Sequence, residues 1–62
     1  MNTKKEEILK ALKQYGRLST YRIIGIVGIN SIYASRYLEE LLKEKLITKK
    51  AETLGTFWEL KK

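Results

Sequence analysis

The sequence predicts an α+β domain in which three helices precede a β-hairpin. Two observations carry that prediction. Apolar residues recur at helical spacing in three segments up to about residue 45, and the pattern then shortens to the alternation of strands. A chain of 62 residues has material for one small core only, so residues 1–62 are read as a single domain.

The first helix starts at Thr3. With Glu6 it reads as a capping box, in which the Thr hydroxyl and the Glu carboxylate each accept from a free backbone N–H. Ile8, Leu9, Ala11, Leu12 and Tyr15 then share one face, and Lys5, Lys10 and Lys13 fall largely outside it. Gly16 ends the helix. Residues 17–19 read as a short extended piece, and Ser19 or Thr20 caps a second helix to about Val27, with Ile23, Ile24 and Val27 inward. Gly28 stops that helix in the left-handed conformation a C-cap favours, and Ile29 fills the corner. Asn30 or Ser31 caps a third helix to about Lys45. At about 100° per residue, Ala34, Leu38, Leu41 and Lys45 form a narrow buried stripe flanked by Tyr37 and Leu42. Residues 46–51 and 56–60 read as strands, and the loop 52–55 ends on a glycine suited to positive φ.

Composition narrows the function classes. The chain has no His, Cys or Asp. Catalytic triads, imidazole or thiolate metal sites and the usual general base are therefore excluded, so neither an enzyme nor a cofactor is expected. Thirteen Lys and Arg against seven Glu leave a net charge of +6, the balance of a protein that meets a polyanion. No apolar run approaches the roughly 18 residues of a membrane span. The N-terminal segment lacks the apolar stretch of a signal peptide, so a cytoplasmic location is expected.

The element order and the residues GINSIYASRYLEELLKEKLI (28–47) resemble winged helix-turn-helix transcription regulators. In that family a Gly-Ile-Ser turn precedes a Ser-Arg-x-Leu-x-x-Leu helix that ends in a Gly-Leu-Ile run. Ser35, Arg36, Leu38 and Leu41 follow the helix pattern, and Lys45-Leu46-Ile47 takes the place of the ending. GTFWELKK is similar to the second wing strand, with Trp58 and Leu60 toward the core. The chain departs from the family at Ile24, Gly25 and Ile26, where Ala and polar residues are common, and at Lys45, where Gly is usual. It departs again at Glu39 and Glu40, where basic residues are frequent. Across 30–45, Arg36, Lys43 and Lys45 cancel Glu39, Glu40 and Glu44. Only the N-terminal half of this helix, free of acids and carrying the positive end of the dipole, suits a phosphate-lined groove.

The resemblance implies double-stranded DNA as partner, with the recognition helix at about 30–45 in the major groove and the wing, 47–60, on the backbone. Opposite the buried stripe lie Ile32, Arg36, Glu39 and Lys43, with Tyr33 and Glu40 on one flank and Ser31 and Ser35 on the other. Arg36 is the expected base reader, because its fork matches two acceptors of guanine. A local ion pair with Glu39 or Glu40 is its competing role. Ile32 suits a thymine methyl, while Ser31, Tyr33 and Ser35 offer hydrogen bonds to bases or phosphates. Arg17, Arg22, Lys43, Lys49 and Lys50 are the expected backbone contacts. Ile26, Leu54 and Phe57 fall at outward or loop positions, with Tyr21 beside them. A symmetric homodimer is therefore expected, either through Ile26 with the first helix or through the hairpin and Phe57. No small-molecule ligand is expected. The alternative function is a protein-interaction winged helix within a transcription or replication assembly, favoured by the neutral helix and outward Ile32.

Overall fold

The computed structural model describes residues 3–61. The elements run α1 (Thr3–Tyr15), β1 (Arg17–Ser19), α2 (Thr20–Val27), α3 (Ser31–Lys43), β2 (Ile47–Glu52) and β3 (Gly55–Leu60). This is the expected α+β architecture of three helices and a hairpin, with one addition. The extended piece at 17–19 is a strand, and it joins the hairpin in an antiparallel sheet of order β1-β3-β2. Leu18 stands opposite Trp58, and Ile47 opposite Leu60.

The ends of the helices follow local chemistry, with two corrections. Thr3 already lies within α1, so it is not the cap of the expected capping box; the preceding position lies outside the described residues. At α2 the choice between Ser19 and Thr20 falls to Ser19, whose Oγ accepts from the Arg22 N–H at 3.2 Å. The Thr20 hydroxyl instead accepts from Trp58 Nε1 at 2.8 Å, tying the sheet to the start of α2. Gly28 closes α2 with φ 75°, and Lys4 Nζ donates to the Val27 carbonyl at that end.

Asn30 caps α3, its Oδ1 accepting from the Tyr33 N–H at 2.9 Å. The helix stops at Lys43, short of the expected Lys45. The Leu46 N–H returns to the Leu41 carbonyl and the Lys45 N–H to that of Leu42, a Schellman closure. This requires Lys45 at φ 63°. Lys45 is consequently exposed and leaves the buried stripe, which consists of Ala34, Leu38 and Leu41. Leu46 precedes β2 rather than opening it, and pairing runs on to Glu52 opposite Gly55. The loop thereby shrinks from four residues to Thr53-Leu54.

Ile8, Leu12, Ile23, Leu38, Leu41 and Ile47 are fully buried, and Leu18, Val27 and Trp58 close around them. Leu9, Ile29, Tyr37, Leu42 and Leu60 pack against this core from the rim. Among the described residues, no helix is long and apolar enough to cross a membrane.

Candidate nucleic-acid interface

Burial of Ala34, Leu38 and Leu41 sets the rotation of α3 about its axis. Ser31, Ile32, Tyr33, Ser35, Arg36, Glu39 and Lys43 are all exposed as a result, Ile32 at 73%. Tyr33 stacks on half-buried Tyr37, with ring centroids 6.1 Å apart. Arg36 has no hydrogen bond or ion pair with any described residue.

The local pairs open to Arg36 do not form because the acids of α3 lean on other elements. Glu39 pairs with Lys49 of β2 at 3.7 Å. Lys5 of α1 holds both Glu44, at 2.9 Å, and Glu40, at 3.4 Å. The Glu44 hydrogen bond is the main cause that raises the Lys5 pKa above its ordinary value; partial burial opposes it, and Glu40 reinforces it. The acids that make α3 neutral are thus compensated from outside the helix. Nothing in local spacing marks Lys5 for this role, because the pairing spans most of the chain length.

Strand alternation separates the two wing lysines. Lys49 stands opposite Trp58 on the side of the sheet that meets Glu39 of α3, with Nζ 5.5 Å from the centroid of the indole. Lys50 stands opposite Phe57 on the other side. There Arg17 lies over the Phe57 ring at 4.3 Å and pairs with Glu52 across the sheet. Arg22 and Lys43 are exposed and unpartnered among the described residues, as is Lys50. The structure therefore sets Lys49 on the side of the sheet that meets α3, which itself carries Lys43, and sets Arg17 of β1 and Lys50 of the wing on the sheet's far face. Phe57 is half-buried beneath Arg17 rather than openly exposed. Ile26 is 42% exposed and lines a hollow with Tyr15 between α1 and α2. Leu54 stands 91% exposed at the hairpin tip, and Tyr21 88% exposed at the start of α2.

The sequence matches no protein-family model and no curated protein. The fold does match solved structures. The Zalpha domain of PKZ from Carassius auratus, in complex with Z-DNA, aligns with a TM-score of 0.87 and 21% identity, over 94% of this chain and 92% of that one. A MarR family transcriptional regulator from Silicibacter pomeroyi aligns at 0.88 with 21% identity, over 97% of this chain but 42% of the regulator. BpsR from Bordetella bronchiseptica, whose DNA binding is regulated by 6-hydroxynicotinic acid, aligns at 0.90 with 17% identity, over 98% and 48%. The chain thus spans less than half of these two bacterial regulators and nearly all of the Zalpha domain. Together the likenesses establish the winged helix-turn-helix fold.

Proposed function

We propose that this chain is a duplex-DNA-binding transcription regulator that inserts the N-terminal half of α3 into the major groove. The observation that carries the reading is the guanidinium of Arg36, unpaired among the described residues. It projects from the exposed, acid-free first turns of a capped helix, with Ile32 one turn before it and Ser35 beside it. In helix-turn-helix proteins those turns reach base edges. The role is binding rather than catalysis, inside the cell, and it needs no small-molecule effector.

Arg36 reads guanine through its two-pronged donor, Ile32 covers a thymine methyl, and Ser31, Tyr33 and Ser35 complete the contact set. Arg22 on α2 and Lys43 on α3 bind flanking phosphates, with Lys49 reaching the same strand from the wing. Lys50 of the wing and Arg17 of β1 contribute from the sheet's other face. The protein acts as a symmetric homodimer on half-sites about one DNA turn apart.

The test is selection of bound duplexes from a random pool, followed by comparison of selected and random sequences. Arg36→Ala should cost about 1–3 kcal/mol on the selected site and little on random duplex. Lys49→Ala with Lys50→Ala should weaken both alike. Equal losses for Arg36→Ala on the two duplexes would remove its role as reader. The near full-length correspondence with the Zalpha domain favours a second target, the left-handed duplex. Preference for Z-form over B-form DNA of the same sequence would transfer the proposal to that form.

A further inference from the structure

We propose that α1 carries a self-complementary surface through which two copies of this chain pair antiparallel. This surface adjoins the hollow of Ile26, with Glu7 and Lys10 lining both, but it contains neither Ile26 nor Phe57, and it deepens the homodimer part of the functional reading by naming where the copies meet. Its argument uses no property of the DNA site.

The surface is a groove between α1 and the end of β3, with a volume of about 490 Å³. Leu9 and Leu60, both half-buried against the core, form its apolar floor. Glu6, Lys10 and Lys13 stand along its wall. A second hollow of about 400 Å³ continues the groove past Lys13 and Leu60 to Glu59 and Lys61. Glu6, Lys10 and Lys13 make no ion pair with any described residue, although Lys4 and Lys5 on the same helix are both engaged.

Helical spacing arranges these groups for a two-fold contact. Glu6 and Lys13 are seven residues apart, which puts them nearly on one line about 10 Å apart along the axis. Leu9 lies on the flank of that line and Lys10 on its other side. The acid stands toward the N-terminus of α1 and the bases toward its C-terminus, so a parallel copy would oppose like charges. An antiparallel copy does the reverse. With the two-fold axis passing between Leu9 and Lys10, Glu6 faces Lys13 of the second copy, and the same contact recurs on the other side of the axis. Both Leu9 side chains then meet on one side of that axis, near both Leu60 side chains, and cover the groove floor.

A second copy suits this surface better than an unrelated peptide because Glu6 and Lys13 exchange places under that rotation, and the two Lys10 ammonium groups that meet near the axis each lie within one turn of the second copy's Glu6. A helix of 13 residues is about 20 Å long, so the contact lies near the lower size limit of specific interfaces, about 1,200 Å² in total.

Sedimentation equilibrium of the full chain without DNA tests the proposal, with circular dichroism to confirm that every variant is folded. The parent chain should pass from monomer to dimer with rising concentration. Glu6→Lys or Lys13→Glu alone places like charges together twice per dimer and should weaken association by about tenfold or more. The double variant Glu6→Lys, Lys13→Glu restores opposite charges and should recover most of that loss, whereas Ile26→Ser should leave association unchanged. A monomer up to millimolar concentration would overturn the proposal. So would a dimer insensitive to the single charge changes, or one that the double variant fails to rescue. Loss of association in Ile26→Ser would place the contact elsewhere. Because no DNA is present, failure here leaves the nucleic-acid reading standing, and failure to bind DNA leaves this one standing.

Discussion

At the scale of single residues, Lys45 shows local preference giving way to chain geometry. Its left-handed φ of 63° is the one the helix closure demands, and an L-residue with a side chain occupies that region at a cost of about 1–2 kcal/mol. Glycine would carry no such cost, although it would also loosen the unfolded chain by about 0.4–1 kcal/mol. Lys45→Gly should therefore raise stability by about 0.5–1 kcal/mol. The urea midpoint is expected to rise with an unchanged slope, and a lower midpoint would contradict the strain argument. The sequence already pointed to this position, since Lys45 is a departure from the Gly of the winged-helix pattern that the segment resembles. It also suggested a longer helix with Lys45 in its apolar stripe, because periodicity alone cannot tell where backbone carbonyls are recaptured by the following turn.

At the scale of elements, the neutral charge of α3 resolves once its neighbours are in place. Lys5 clamps Glu40 and Glu44 to α1, and Lys49 draws Glu39 toward the wing. The Lys5 clamp also implies a pH dependence. Its pKa in the folded chain is raised above the ordinary 10.5, chiefly by the Glu44 hydrogen bond and against the opposing effect of burial. A group whose folded pKa exceeds its unfolded one contributes fully below the unfolded value and loses that contribution as pH rises through the folded value. Stability should accordingly fall on the alkaline side, above about pH 10.5. Lys5→Met should flatten that limb in denaturation curves compared across pH. A variant that keeps the parent's alkaline slope would show that the clamp contributes nothing to it.

The same scale shows what sequence patterns reach. The three helices, their buried faces at Ile8, Ile23 and Leu38, and the hairpin were legible because each follows from spacing within about a dozen residues. The strand role of β1 was not. Three residues have no period to display, and residues 17–19 become a strand only because β3 returns beside them. The bond from Trp58 to Thr20 was hidden for the same reason. A threonine next to a helix start reads as a cap until the indole that claims it is brought across the molecule.

At the scale of the whole molecule, the net charge of +6 is not spread evenly in effect. Lys4, Lys5, Arg17 and Lys49 are engaged with glutamates. Arg22, Arg36, Lys43 and Lys50 remain unpartnered among the described residues. If the free cations on α2, α3 and the wing, together with Lys49, meet about four to six phosphates per protomer, log affinity should fall with log salt at about −0.9 per contact. Titrations at several salt concentrations measure that slope. A slope near zero would remove the polyanion from the account and favour a protein partner. Lys49→Ala should reduce the slope by about one contact, provided Lys49 leaves Glu39 for a phosphate.

The sequence by itself determined which side chains are on hand and where the local elements run. It holds no His, Cys or Asp and a net charge of +6, and helical and strand periods are properties of short segments. Only the tertiary structure decided which cations are free, which acids are silenced, and which wing lysine shares a side with α3. Those outcomes depend on groups far apart in the chain, such as Lys5 with Glu44 and Lys49 with Glu39. Electrostatic pairing acts through distance in space, and spacing along the chain records that distance only within a single helix or strand.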